Sequence, residues 1–226
     1  MIRTAAALAI AAVTLALPPA AAAEATLGVD PVAPCYREQS HVNLTGAGFT
    51  PNGAVVFTRD GTPVGDPVLA DPGGELNPKL ILPGLVSGQR RLTYVATDQT
   101  NNTVAASVSL LVTSTDVTLT PAGGAPNRML TIHARGFFNG RTLYAHIVRT
   151  GKRPGRARNM RIGAVKGDCR TATARKRLFT RKTKPGHYRV QFDTFRRYQG
   201  KRSVETQFTV TVYRRAGATR VSNPAS

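Results

Sequence analysis

The sequence predicts an all-β protein: two tandem β-sandwiches behind a cleaved export signal. Apolar and polar residues alternate over short runs, and Gly, Pro, Asn and Asp interrupt them every 8 to 12 residues or so, the spacing of a sandwich. An octet near residue 50 nearly repeats 88 residues later. A period that long is one small domain used twice, since solenoid repeats run to roughly 20–50 residues.

The first copy is Gly46-Ala47-Gly48-Phe49-Thr50-Pro51-Asn52-Gly53, and it returns as Ala134-Arg135-Gly136-Phe137-Phe138-Asn139-Gly140. Each copy lies between two alternating runs, so it belongs at a connection that carries the chain from one sheet to the other. Gly48 or Gly136 permits a positive φ or a close backbone approach. Phe49 or Phe137 plugs the end of the core, and Asn-Gly turns the chain into the next strand.

In chain order, strands are expected at 26–32, 41–47, 54–59, 64–70, 75–82, 90–97 and 104–113, then at 117–121, 129–135, 142–149, 160–166, 171–179, 187–193 and 203–213. The late strands correspond as the early ones do: Gly88-Gln89-Arg90-Arg91-Leu92-Thr93-Tyr94 matches Gly186-His187-Tyr188-Arg189-Val190-Gln191-Phe192. Beyond residue 23 no window sustains an apolar stripe at helical spacing. The organisation read from this is 1–23 signal peptide, 25–113 first domain, 117–213 second domain and 214–226 flexible tail. Residues 113–116 form a short polar linker.

The octet resembles the Gly-x-Gly-Phe-x-Pro-x pattern of bacterial immunoglobulin-like domains of the IPT/TIG type, found in tandem in exported actinobacterial proteins. That resemblance implies two immunoglobulin-like sandwiches and carries no activity. The second copy lacks the first Gly and the Pro.

The N-terminus carries Arg3, an apolar stretch over residues 5–17, the helix breaker Pro18-Pro19 and the small residues Ala21-Ala22-Ala23. This is the order of a secretory signal cleaved after Ala23. Thirteen residues are too few for a bilayer core that needs about 20, and no later segment is apolar enough to cross one. The expected location is extracellular, with retention at the cell wall.

Net charge is +19 and is unevenly spread. Residues 24–113 hold 5 Lys/Arg and 8 Asp/Glu, whereas residues 114–226 hold 25 and 4. One genome wrote both halves, so codon bias does not explain the difference. Such asymmetry costs self-repulsion in the compact state and points to an anionic partner.

Motifs for catalysis are absent. There is no nucleophile elbow, zinc-binding helix motif, phosphate-cradling Gly-rich loop or calcium loop, so no catalytic residue, cofactor or metal is expected. Asp60, Asp66, Asp71 and Glu75 fall in turns at spacings that match no standard calcium loop. His133 and His146 alternate with apolar neighbours and are expected to face solvent. His146 is expected near Asp193 or His187, as a surface hydrogen bond more than an oriented base.

Cys35 and Cys169 are the only cysteines. An exported protein keeps disulfides. In an immunoglobulin-like order Cys35 lies between strands one and two and Cys169 between strands four and five of the second domain. Both approach the linker, so an interdomain bond is expected, with free or intermolecularly paired thiols as the alternative. The chain-entropy model gives such a closure on the order of 5 kcal/mol. It would also stiffen a linker that otherwise lets the halves swing.

The same strand directions send three basic segments to the far pole of the second domain. They carry Arg149, Lys152, Arg153, Arg156 and Arg158; then Arg181, Lys182 and Lys184; then Arg214 and Arg215. Arginine forks suit phosphate and sulfate oxygens. The expectation is a non-catalytic envelope or secreted binding protein holding an anionic wall polymer or an acidic membrane surface. Non-specific nucleic-acid binding in vitro would follow from the same charge. A structural or adhesive spacer is the alternative reading, and a small-ligand carrier a weaker one.

Overall fold

The computed structural model describes residues 24–150, 157–200, 206–215 and 218–222. Among them the chain is all strand and loop, with no α-helix. The first nine strands are β1 (Thr26–Asp30), β2 (Tyr36–Arg37), β3 (His41–Ala47), β4 (Ala54–Arg59), β5 (Thr62–Pro63), β6 (Val68–Leu69), β7 (Lys79–Ile81), β8 (Gln89–Asp98) and β9 (Ala105–Thr113). The next eight are β10 (Asp116–Thr120), β11 (Leu130–Arg135), β12 (Thr142–Arg149), β13 (Arg158–Ala164), β14 (Ala172–Lys176), β15 (Gly186–Asp193), β16 (Thr206–Arg215) and β17 (Ala218–Ser222).

The strands form two β-sandwiches in tandem. In the first, β1-β3-β7 faces β2-β9-β8-β4-β5, with β6 also on β4. All pairings are antiparallel except β2 on β9, where Tyr36 opposes Val112. In the second, β10-β11-β14 faces β13-β12-β15-β16-β17. Period-2 alternation does the sorting. Val42 and Leu44 of β3, Val55 and Phe57 of β4, and Leu92, Tyr94 and Ala96 of β8 turn inward together. The second core gathers Ile132, Leu143, Ala145, Ile147, Val190 and Phe192 in the same way.

The repeated octet makes the crossing between sheets in both sandwiches. Gly48 and Gly136 take positive φ values of 83° and 77°, and Asn52 also adopts the left-handed region at 57°. Phe49 and Phe137 are buried. A Cβ on Gly136 would stand 2.3 Å from the Ser114 carbonyl oxygen, so glycine is required there for packing as well as for its dihedral.

The first sandwich closes its octet with a buried carboxylate. Asp98 ends β8 and accepts hydrogen bonds from the amides of Thr50 (2.7 Å), Thr100 (2.8 Å) and Asn101 (3.2 Å). Desolvation alone would raise its pKa, but a hydrogen bond from the Thr50 side chain and these amides outweigh it and hold the value at about 2.

Cys35 and Cys169 form a disulfide, with their Cα atoms 5.1 Å apart. The linker departs from expectation. β9 ends at Thr113 and β10 begins at Asp116, and Thr113 and Ser114 are buried rather than exposed. Polar groups of both sandwiches hold the step: Glu38 accepts from the amides of Thr115 (2.7 Å) and Leu85 (2.8 Å). Asp116 accepts from the Gly88 amide and pairs with Arg135 at 3.0 Å. The amides of Gly136 and Phe137 donate to the carbonyls of Cys169 and Arg170.

Other differences are local. β2, β5 and β6 are two-residue strands, too short for alternation to mark. The expected flexible tail 214–226 is corrected over part of its length. β16 continues to Arg215, and β17 pairs antiparallel with it from Thr211↔Ser222 to Arg215↔Ala218. The three-residue alternation Thr219-Arg220-Val221 carried too little pattern to reveal an added edge strand.

Truncating Phe137 to Ala should cost about 3–5 kcal/mol in chemical denaturation, the range for deleting a buried aromatic side chain. Because the linker is buried and hydrogen-bonded, reduction of the disulfide should leave the solution scattering profile unchanged. Reduction combined with Glu38→Ala should broaden the distribution of dimensions, as the covalent tie and the polar clasp are then both gone.

Candidate functional site

Strand pairing fixes which ends of the second sandwich come together. Arg149 opposes Tyr188, Ile147 opposes Arg158, and Gly186 opposes Val212. The end of β12, the start of β13, the start of β15 and the end of β16 therefore share one pole, away from the disulfide.

Arg149 donates to the Pro185 carbonyl at 2.7 Å, and Arg158 donates to the Leu178 carbonyl. Partial burial lowers the Arg158 pKa, although an arginine keeps its charge at any physiological pH. The turn closed by Thr183 N to Thr180 O at 3.0 Å presents Arg181 and Lys182 to solvent, with Lys184 exposed beside it. Arg149, Arg158 and Lys184 border a cleft of about 230 Å³ floored by Phe179 and Tyr188. Asp116, Asp168 and Asp193 all lie toward the opposite end.

Of the ten expected basic residues, five are thus gathered with described side chains. Arg214 and Arg215 end β16, so their backbone reaches the same pole. Lys152, Arg153 and Arg156 lie outside the described residues.

A second polar cluster occupies the outer face of the larger sheet. His146 does not face solvent as its alternation suggested. It points away from the core, but residues 194–200 fold over that face, and His146, Gln191 and Asp193 have no accessible surface. His146 Nε2 lies 2.9 Å from Asp193 Oδ1, and Nδ1 lies 2.8 Å from Asn159 Oδ1. Both partners are acceptors, so the ring satisfies both as the imidazolium. Asp193 also accepts from Gln191 Nε2 (2.9 Å) and the Phe195 amide (2.8 Å). His187 is elsewhere on β15, bonded to Thr211.

Burial disfavours the imidazolium. Hydrogen bonds to Asp193 and Asn159 and the nearby carboxylate charge outweigh it and raise the His146 pKa above its usual 6.5. A raised folded-state pKa stabilises the fold fully below about pH 6.5, and that contribution is lost as pH climbs through the folded-state value.

Beside this network lies a cleft of about 420 Å³ lined by Tyr144, Asn159, Arg161, Arg196 and Arg197. Sequence reasoning missed this constellation. Tyr144 and Arg161 oppose each other across β12 and β13. Arg196 and Arg197 come from the 194–200 segment, whose position no periodicity encodes. The adjacent pair in Phe195-Arg196-Arg197-Tyr198 was the one available signal. Among the described residues no three His, Cys, Asp or Glu side chains group as metal ligands.

No protein-family model matches this chain, and no curated protein sequence does. Among solved structures, a protein from Corynebacterium diphtheriae described as membrane-anchored aligns at 14% identity and TM-score 0.36, over 82% of this chain and 58% of its own. Red sea bream transglutaminase aligns at 11% identity and TM-score 0.30, over 85% and 32%. The chain therefore spans less than two thirds of either neighbour. No described helix is long and apolar enough to cross a membrane.

Imidazole titration by ¹⁵N-detected NMR should place the His146 pKa above 6.5, and Asp193→Asn should bring it down, since desolvation then acts with less opposition.

Proposed function

We infer that this chain is an exported, non-catalytic binding protein. Its basic second sandwich would hold anionic polymers at the cell envelope through the far pole. The observation that carries the reading is the convergence of Arg149, Arg158, Arg181, Lys182 and Lys184 on one end of the fold, with the described acids of that sandwich toward the other end. Arg149 and Arg158 are tied to carbonyls and form a fixed base, while Arg181, Lys182 and Lys184, exposed and without a side-chain bond among the described residues, would meet phosphate, sulfate or carboxylate. The less basic first sandwich would act as a spacer of the IPT/TIG immunoglobulin-like kind. The disulfide suits an oxidising, extracellular location.

Cations on loops without interleaved aromatic residues read charge and not sequence. Each neutralised phosphate releases counterions, so retention should fall steeply between about 50 and 200 mM salt. The triple variant Arg181→Glu, Lys182→Glu, Lys184→Glu should lower affinity for a polyol-phosphate polymer and for phosphatidylglycerol vesicles by about tenfold or more at 100 mM salt, with a shallower salt slope. Undiminished retention of the variant at low salt would remove the pole from consideration.

A further inference from the structure

The cleft at Tyr144, Asn159, Arg161, Arg196 and Arg197 is on a different face from the basic pole and does not depend on it. We propose that this cleft is a binding site for one phosphate or sulfate ester group carried on a sugar- or polyol-sized body.

The side chains lining the cleft are rich in donors. Arg161, Arg196 and Arg197 bring three guanidinium groups to a space of about 420 Å³, and none of them has a hydrogen bond or ion pair among the described residues. Asn159 has its Oδ1 committed to His146 at 2.8 Å, which leaves its amide N–H groups for the cleft. Tyr144 adds a hydroxyl and a half-buried ring.

The carboxylate nearby among the described residues cannot neutralise them. Asp193 is fully buried, and its two oxygens already accept from His146, Gln191 and Phe195. It balances the His146 imidazolium directly behind Asn159 and presents no acceptor outward. Like charges gathered with no counter-charge among the described residues repel one another, and an anion is what relieves that repulsion. Guanidinium forks pair bidentately with the oxygens of phosphate and sulfate.

The backbone that carries the arginines is also held in place. Arg161 rises from β13, whose register with β12 is fixed from Tyr144↔Arg161 to Ile147↔Arg158. The segment bearing Arg196 and Arg197 is pinned by Phe195 N to Asp193, by Gln191 to the Gly200 carbonyl, and by Arg189 to the Tyr198 hydroxyl. With the backbone fixed before binding, only side chains remain to be ordered when the ligand arrives. The volume exceeds what one tetrahedral anion fills and falls in the range of small-ligand clefts. The Tyr144 ring beside the arginines offers a flat apolar surface for the C–H face of a sugar or polyol.

The experiment uses the mature protein, with inorganic phosphate, glycerol 1-phosphate and glucose 6-sulfate titrated separately by calorimetry and ¹H–¹⁵N NMR. Saturable binding at one site is expected, with shifts at Asn159, Arg161 and the His146 ring, and the two esters should bind more tightly than phosphate. If phosphate matches the esters, the body contributes nothing and that part of the proposal fails. Arg161→Gln, Arg196→Gln and Arg197→Gln together should weaken ester binding at least about tenfold. All three positions are exposed, and unchanged backbone shifts elsewhere would show the fold intact.

The variant Arg181→Glu, Lys182→Glu, Lys184→Glu should bind the esters as the parent does. Failure of polymer retention with intact ester binding would separate the two sites. Ester binding that survives the three glutamines within about twofold, or that moves only resonances of the far pole, would overturn the proposal.

Discussion

Asp193 ends β15 with no accessible surface, and a carboxylate in that position is tolerable because three donors converge on it: an imidazolium, a side-chain amide and a backbone N–H. That convergence places the rest of the outer face. The bond to the Phe195 amide turns the chain back over the sheet, so that residues 194–200 bury His146. His146 in turn orients Asn159. Arg196 and Arg197 reach β13 because the turn begins where Asp193 sets it. Without this carboxylate the second sandwich would keep its core and lose its cleft.

The first sandwich uses a carboxylate at the equivalent strand end for another purpose. Asp98 gathers the Thr50 amide and hydroxyl from the octet and the amides of Thr100 and Asn101 from the loop after β8. It closes a turn locally, and its ionised form is favoured by those donors alone. Asp193 faces a titratable partner, His146, whose pKa is raised above its usual 6.5, so its surroundings respond to proton concentration. Both sandwiches thus end this strand on a buried acid, but Asp98 shares the core-facing parity of Leu92, Tyr94 and Ala96 whereas Asp193 lies on the outer face.

Much of the scaffold was legible from period-2 alternation and from the paired Gly-Phe elbows, since both follow from local steric and solvation rules. The pairing of Cys35 with Cys169 was legible once strand order put both at one end of their sandwiches. The concentration of Arg181, Lys182 and Lys184 with Arg149 and Arg158 was legible for the same reason. Burial of His146 was not. Alternation reports which face of a sheet a residue occupies, and says nothing of an irregular segment lying over that face. The buried linker was hidden likewise: Thr113, Ser114 and Thr115 look like an exposed hinge until Glu38, 77 residues before Thr115, supplies the acceptor.

The Cys35–Cys169 bond makes a covalent ring of all the chain between those residues. Extracellular chains meet proteases, and the sequence Arg149-Thr150-Gly151-Lys152-Arg153-Pro154-Gly155-Arg156-Ala157-Arg158 is rich in the residues that trypsin-like enzymes cut after. This segment lies inside the ring. A single cleavage there does not separate two fragments, so the slightly acidic first sandwich and the cationic strands beyond residue 169 stay on one molecular skeleton. A stretch dense in such sites is thereby one whose scission releases nothing.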